Sequence, residues 1–220
     1  MNILVIAPHA DDEILGVGGT IIKHIEQGDS VYICIASRGY PPLFSDEFVE
    51  GIIEEAIACH KLIGIKKTFF FDFPAAMLET ANRNEINDQL YAVIDEVKPD
   101  IVFIPHYGDM QKDHEIIAKA SMVALRPKYE HKVKAIYSYE TLSETEWNIP
   151  HSTNTFIPTV YIDISDYIQI KLEVLKQYKS QLSDFPNPRS LEAIEALSKY
   201  RGSTINVRAA ESFVLIRQIM

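Results

Sequence analysis

The chain has 220 residues, of which 47% are hydrophobic, a composition typical of one folded domain over residues 1–220 and not of a disordered protein. Its net charge is −10 and it contains no basic run, which argues against a nucleic acid or an anionic membrane as partner. No apolar run approaches the roughly twenty residues of a membrane span. The two cysteines fit a reduced core better than a disulfide framework, so we expect a cytoplasmic protein.

Short apolar runs alternate with amphipathic segments along the first two thirds of the chain. Strands are predicted at 3–7, 31–36, 67–71, 100–104 and 133–138, and helices at 12–27, 46–63, 84–97 and 112–125. This alternation is typical of right-handed βαβ units. It predicts a single-domain α/β protein with a Rossmann-like three-layer α/β/α fold and a mostly parallel sheet.

The last third of the chain is less regular. Residues 141–158 have few periodic signals and are predicted to form a long loop, which in a compact domain is more often functional than idle. Beyond it we expect a strand at 159–164, helices at 166–182 and 190–200, and a strand or helix at 211–219.

Candidate metal ligands follow the first and fourth predicted strands. His9 and Asp12 come directly after the first strand, and His114 comes after the fourth. In the usual winding of such folds these two strands are neighbours, and ligands bind at their carboxyl ends. Two imidazoles and one carboxylate suit catalytic zinc, which keeps a fourth position for water. The alternatives are a histidine at a strand end and an Asp12 that caps the next helix.

Acidic residues beside the predicted ligands have predicted supporting roles. Asp11 can accept a proton from a water on the metal, which is general-base catalysis, although an aspartate here can also cap the helix. Asp109 or Asp113 is expected to accept a hydrogen bond from a metal-bound imidazole. His106 either protonates a leaving amine or only ends its strand.

The loops after the second and third strands open on the same edge of the sheet. Arg38 and Asp72 lie there, either as contacts to substrate hydroxyls or anions, or paired with each other. Three glycines inside the first helix, at positions 16, 18 and 19, lower its helix propensity by about 1 kcal/mol each. We therefore expect this helix to pack very close to the sheet or to another backbone.

The stretch Pro-His-Ala-Asp-Asp-Glu at 8–13, followed by Gly-Val-Gly-Gly-Thr at 16–20, closely resembles the opening signature of the PIG-L/LmbE-like deacetylases. The likeness continues in order at residues 72–74, 105–114, 153–154, 160–164, 171–181, 201–202 and 210–213. These are zinc-dependent enzymes that remove the acetyl group from N-acetylglucosaminyl compounds.

The resemblance implies a role for each matching position. His9, Asp12 and His114 correspond to the zinc ligands, Asp11 to the base, and Arg38 and Asp72 to substrate contacts. Many members have a histidine where this chain has Gln111. A glutamine can hydrogen-bond an oxyanion but cannot supply a proton. The proton donor is then His106 or His151, or Asp11 returns the proton that it took.

The sequence therefore predicts a metal-dependent N-deacetylase that acts on an N-acetylated sugar or sugar conjugate, with Zn²⁺ or another divalent metal such as Fe²⁺. One alternative is a relative that binds metal without catalysis, motivated by Gln111. Another is a nucleotide-binding module, for which residues 16–21 carry only part of the required glycine pattern. Aromatic residues in the loops can stack on a sugar or form contacts in a homo-oligomer.

Overall fold

A computed structural model describes residues 1–128 and 130–220, and the part it describes is organised around one seven-stranded sheet. The strands are β1 (Asn2–Ala7), β2 (Ser30–Arg38), β3 (Lys67–Pro74), β4 (Ile101–Pro105), β5 (Ala135–Tyr139), β6 (Val160–Asp163) and β7 (Ala210–Gln218). Their order is β3-β2-β1-β4-β5-β7-β6, with β1 to β5 parallel and both β5–β7 and β6–β7 antiparallel. The predicted fold class is confirmed, and β1 and β4 are neighbours as expected.

Helices cover both faces of this sheet. They are α1 (Asp12–Glu26), α2 (Asp46–Ile63), α3 (Arg83–Val97), α4 (Lys112–Ala124), α5 (Ile168–Leu175) and α6 (Leu191–Ser203). One hydrophobic cluster joins α1, α2, α5 and α6 to the sheet, and a second joins α3 and α4 to the opposite face. Along β1, Ile3 and Val5 belong to the first cluster whereas Leu4 and Ile6 belong to the second. A strand buried on both faces needs such a continuous apolar run.

Helix α1 makes the close approach that its glycines predict. A Cβ added at Gly16 would lie 2.3 Å from Cδ2 of Tyr139 and 2.9 Å from the carbonyl oxygen of Glu140. At Gly19 it would lie 2.7 Å from Cδ1 of Ile164. Since any larger residue would displace these neighbours, the glycines fix how α1, and therefore its first turn, sits against the sheet.

The C-terminal third differs from expectation at one helix. The helix predicted at 166–182 is only α5, which ends at Leu175. Beyond it the chain forms tight turns, in which the Tyr178 N–H donates to the carbonyl oxygen of Leu175 at 2.9 Å. The buried Tyr178 hydroxyl donates to Glu13, which fixes this turn against the first turn of α1. Residues 211–219 lie in strand β7 and its end, and 141–158 contain no helix or strand.

Two further expectations concern hydrophobic residues. Cys34 and Cys59 are free and buried, as predicted for core positions. Within the described ranges, no helix combines the length and the hydrophobicity needed to cross a membrane.

Candidate metal centre

The three predicted ligands converge at the carboxyl ends of β1 and β4. His9 follows β1, Asp12 is the first residue of α1, and His114 lies in the first turn of α4. Each offers one ligand atom, and these atoms all lie within 4.8 Å of one another. The adjacency of β1 and β4 thus brings together residues more than one hundred positions apart.

The donor atoms of this cluster suit a divalent cation. Oδ2 of Asp12 lies 3.2 Å from Nδ1 of His9 and 3.3 Å from Nε2 of His114. In the part of the chain that the structure describes, Oδ1 of Asp12 and Nε2 of His114 are buried without a hydrogen-bond partner. Unpaired buried polar atoms cost free energy unless another group satisfies them. Two imidazoles and a carboxylate at this spacing are a donor set for zinc or another divalent transition metal.

Each imidazole of the cluster also meets a carboxylate through its other nitrogen. Nδ1 of His114 lies 2.8 Å from Oδ2 of Asp109, and Nε2 of His9 lies 3.0 Å from Oδ2 of Asp113. Asp109 is held by the Thr145 hydroxyl at 2.6 Å. Such outer contacts fix the ring orientation and the tautomer of a metal-binding histidine. The sequence predicted one such carboxylate, and the structure places both candidates in contact with a ring.

The charges in this cluster favour a cation. Burial acts to lower the pKa of His9, but Asp113 and Asp12 outweigh it and raise that pKa to about 9. Burial also acts to lower the pKa of His114. Asp12 and Asp109 outweigh this effect, and the pKa of His114 lies well above its usual value. For Asp12, burial acts to raise the pKa, yet His114 and His9 hold it well below its usual value. A site that stabilises positive charge this strongly also suits a metal ion.

Asp11 makes different contacts from its neighbour Asp12. Its Oδ2 accepts a hydrogen bond from Nη1 of Arg189, and its buried Oδ1 has no partner among the described residues. Burial raises the pKa of Asp11, and Arg189 opposes that rise. Neither Asp11 nor Asp12 gives a side-chain cap to α1 in the described structure, so the capping alternative is not observed. Instead the main-chain carbonyl of Asp11 accepts the first helical N–H groups, from Ile14 and Leu15.

The backbone of Asp11 is held in an uncommon conformation by Glu13. Asp11 has φ 117°, a region that side-chain-bearing residues rarely adopt and that costs of order 1–3 kcal/mol. Its N–H donates to Oε2 of the buried Glu13 at 3.0 Å. The other oxygen of Glu13 lies 3.0 Å from Nε2 of His60 and accepts from the Tyr178 hydroxyl. A buried network therefore sets where the Asp11 carboxylate points.

A cavity of about 490 Å³ opens beside the cluster, and four of the predicted site residues besides His9 line it. They are Asp11, Arg38, Asp72 and Gln111. Arg38 and Asp72 also face each other, with 3.5 Å between Nη1 and Oδ1. Nε of Arg38 is nevertheless buried without a hydrogen-bond partner among the described residues.

Two histidines considered as proton donors lie elsewhere. His106 is buried, and its Nε2 lies 2.9 Å from the carbonyl oxygen of Asn154. His151 is exposed, and its Nδ1 lies 2.8 Å from the Thr153 hydroxyl. Neither histidine is among the described residues that line the cavity. Both contacts belong to the loop at 141–158.

Sequence reasoning missed three groups at this site. Arg189 lies in a proline-containing turn between two predicted helices, and no spacing relation connects it with Asp11. Glu13 stands in the first motif, but only the fold shows its hydrogen bond to the Asp11 N–H. Glu144 is buried, and its Oε2 accepts a hydrogen bond from the Gln111 N–H at 3.1 Å. Burial raises the pKa of Glu144.

Comparison with known proteins gives a consistent result. The family model described as GlcNAc-PI de-N-acetylase, PIG-L, matches residues 4–125. The probable N-acetyl-alpha-D-glucosaminyl L-malate deacetylase 2 of Bacillus anthracis is 26% identical over 83% of this chain and 82% of its own length. The diacetylchitobiose deacetylase of Thermococcus kodakarensis is 24% identical over 83% of this chain and 71% of its own length.

Solved structures share the whole architecture. The crystal structure of a conserved protein from Thermus thermophilus superposes with a TM-score of 0.81 at 26% sequence identity. The match covers 99% of this chain and 96% of that one. The likeness therefore extends past the segment that the family model matches, into the C-terminal strands and helices.

Proposed function

The chain belongs to the PIG-L family, and on that premise we propose that it is a metal-dependent deacetylase for an N-acetylglucosamine-type sugar or sugar conjugate. The relatives that it matches are named deacetylases, of a malate conjugate in one case and of diacetylchitobiose in another. The observation that carries the proposal is a set of three unsatisfied buried atoms among the described residues. These are Oδ1 of Asp12, Nε2 of His114 and Oδ1 of Asp11.

His9, Asp12 and His114 are the residues that would hold the metal, zinc in the first instance. A bound divalent metal supplies Lewis-acid polarisation of a carbonyl and lowers the pKa of water to near neutrality. Asp109 and Asp113 keep the two imidazoles oriented through the contacts described above.

Asp11 is the proposed general base. Because Arg189 occupies Oδ2, the unpaired Oδ1 is the atom that accepts a proton from the attacking water. The Glu13 network holds the Asp11 backbone, so the carboxylate does not need to reorganise during the reaction. A well-placed base contributes about 10²–10⁴-fold to the rate.

Gln111 is the proposed hydrogen-bond donor to the oxyanion of the tetrahedral state. It lines the same cavity as Asp11, and its side chain does not cap α4 in the described structure. Oxyanion donors of this kind contribute about 10²–10³-fold. The position of His106 against Asn154 favours return of the proton to the leaving amine by Asp11 over donation by His106.

Arg38 and Asp72 are the proposed contacts to substrate hydroxyls. They lie on the wall of the cavity formed by the ends of β2 and β3, and Nε of Arg38 lacks a partner among the described residues. A sugar hydroxyl or ring substituent placed between them would exchange hydrogen bonds with both side chains, since one is a donor and the other an acceptor.

The test is release of acetate by protein stripped of metal and then reloaded. We expect no turnover of N-acetylglucosamine, diacetylchitobiose and an N-acetylglucosaminyl conjugate after chelation, and recovery with Zn²⁺ or Fe²⁺. A reloaded protein with metal at His9 but no activity on any of these substrates would contradict the proposal and favour a silent metal-binding relative.

The glycine pattern at residues 16–21 does not support the nucleotide-binding alternative. Its glycines would have to approach a pyrophosphate closely. Gly16 instead faces Tyr139, and Gly19 faces Ile164. Helix–sheet packing thus accounts for these glycines.

A further inference from the structure

Around α2 and β3, five of the large apolar side chains that lie outside both hydrophobic clusters of the described structure are grouped together. They are Phe44 before α2, Phe48, Ile52 and Ile53 in its first two turns, and Phe70 on β3. Phe48 is 40% exposed and Phe70 is 39% exposed, whereas the other three are half-buried. The Phe44 and Phe48 rings stack with their centroids 6.2 Å apart. Apolar surface of this kind is costly in water unless something covers it.

All five side chains line the cavity that also contains His9 and Asp11. The polar lining comes from strand ends and from the segment around Arg189, whereas most of the apolar lining comes from α2, the loop before it, β2 and β3. A ligand whose amide carbonyl reaches the His9–Asp12–His114 cluster therefore has an apolar wall beside it. A sugar alone presents mainly hydroxyl groups and gains little from such a wall.

These apolar side chains are not simply a surplus part of the hydrophobic core, because the cavity that they line is deep. Ile35 and Val49 line the same space and are 1% and 4% exposed, so the apolar lining runs from the interior to the surface. The Phe44 ring packs on Gly39, where an added Cβ would lie 2.8 Å from it. Gly39 directly follows Arg38, the proposed sugar contact. The apolar lining is therefore continuous with the polar lining, and a single ligand can contact both.

We propose that the cavity between α2 and β3 is a subsite for an aliphatic or aromatic group carried by the N-acylated sugar substrate. This inference rests on the proposed deacetylase function and narrows its substrate class to amphiphilic sugars. The apolar group is either the substituent at the anomeric carbon or an N-acyl chain longer than acetyl. Both have the same chemistry, and each methylene that becomes buried favours binding by about fourfold.

Two substrate series separate these sources. In the first, methyl, butyl and hexyl N-acetylglucosaminides are compared; in the second, the N-acyl group of the methyl glycoside is lengthened from acetyl to hexanoyl. We expect kcat/KM to rise by at least tenfold across one of the series. If neither series rises while the methyl glycoside is deacetylated, the subsite is overturned and the deacetylase function stands.

Variants of the apolar lining test whether these side chains cause the preference for the longer substrate. In whichever series responds, Ile52→Ser and Phe70→Ser are expected to lower the ratio of kcat/KM between the longest and the shortest substrate by about fivefold or more. The matched control is Ile57→Ser, which changes the same residue type in the same helix. Ile57 is 51% exposed and is not among the described residues that line the cavity. It is expected to leave the ratio unchanged. Equal losses in Ile52→Ser and Ile57→Ser would overturn the proposal.

Binding and assembly measurements complete the test. Hexyl glucoside carries no amide, so calorimetry of its binding, with methyl glucoside as reference, reports on the subsite even if no substrate is turned over. Tighter binding of the hexyl compound, weakened by Ile52→Ser, supports the subsite. If Ile52→Ser instead dissociates an oligomer and leaves the binding ratio unchanged, the apolar wall is a contact between copies of this chain and the proposal is wrong.

Discussion

Nη1 of Arg189 donates a hydrogen bond to Oδ2 of Asp11 across 178 residues of sequence. Arg189 also donates to the Ser143 hydroxyl at 2.8 Å and to Oε1 of Gln181 at 3.2 Å. The guanidinium thus links the turn before α6 and the 141–158 loop to the N-terminus of α1. Both groups are largely withdrawn from water, with side-chain exposures of 19% and 2%.

Removing Arg189 should therefore be costly. Arg189→Met leaves a buried carboxyl without its cation, and we expect a loss of about 3 kcal/mol in the free energy of unfolding, measured by urea denaturation. The double variant with Asp11→Asn should recover part of this loss, because the unpaired charge is gone. Arg208→Met, which removes a mostly exposed ion pair with Asp166, serves as control and should cost less than about 1 kcal/mol.

Asp11→Asn separates catalysis from metal binding. We expect the variant to keep its metal, measured by elemental analysis, and to lose about 10²–10⁴-fold in kcat because an amide cannot accept the proton. Asp12→Asn is the comparison, since it removes a proposed ligand and should lose the metal itself. An Asp11→Asn protein that deacetylates at the parental rate would show that Asp11 is not the base.

Asp109→Asn tests the outer contact to the cluster. The amide no longer holds Nδ1 of His114 as a carboxylate does, and we expect metal affinity to fall by about 10–100-fold in a competition assay with a chelator. Thr145→Val, which removes only the hydroxyl that donates to Asp109, should have a smaller effect of the same sign. Glu115→Gln changes an outward carboxylate on the same helix, where Glu115 pairs with Lys112 and Lys119, and should leave the affinity unchanged.

Two glycines in helices should respond in opposite directions to alanine. At Gly16 the added methyl group would overlap Tyr139 and the backbone of Glu140, so Gly16→Ala is expected to destabilise the protein by about 1–3 kcal/mol. At Gly51, inside α2, nothing lies within 4 Å of the added Cβ among the described residues. Gly51→Ala should therefore stabilise by up to about 1 kcal/mol through helix propensity. Thermal unfolding of both variants checks the sign, and a stabilised Gly16→Ala would contradict the packing of α1.

Asp100 should make stability depend on pH at the acid end. The Lys134 ammonium, 2.8 Å away, and the Asn2 N–H, 2.9 Å away, lower the pKa of Asp100 in the folded protein. A depressed folded pKa stabilises above the unfolded value of about 3.9, and this contribution is lost as pH falls through the folded pKa. Asp100→Asn should thus cost about 1 kcal/mol near pH 7, and the difference from the parent should shrink below pH 4.

The control for this prediction is Asp95→Asn, which removes a solvent-exposed contact with Lys98. Exposed pairs contribute little, so its effect should be clearly smaller than that of Asp100→Asn. A stability difference between Asp100→Asn and the parent that stays constant from pH 7 down to pH 2 would contradict the depressed pKa.

The β-strands and helices of the first two thirds follow from local pattern, because hydrophobic periodicity and helix-capping residues act over a few positions. β1 shows this, since its uninterrupted apolar run reflects burial on both faces of the sheet. The helix after Ser165 shows the limit of the method. Apolar residues continue at helical spacing past Leu175, but the backbone there forms turns that bring the Tyr178 hydroxyl to Glu13 of α1, a contact between distant segments that local spacing does not encode.

The sequence alone determined the residue types of the candidate site. His9, Asp12 and His114 follow strands whose adjacency the order of βαβ units predicts, and the resemblance of residues 8–13 to the family signature implies that Asp11 is the base while His9 and Asp12 are ligands. Only the tertiary structure decided which atoms meet. Arg189 donates a hydrogen bond to Asp11, and the Asp11 N–H donates to Glu13. Asp109 contacts the His114 ring, and Asp113 contacts the His9 ring. The His106 ring lies against the carbonyl oxygen of Asn154. These contacts join distant segments through packing, and no local pattern of side chains encodes them.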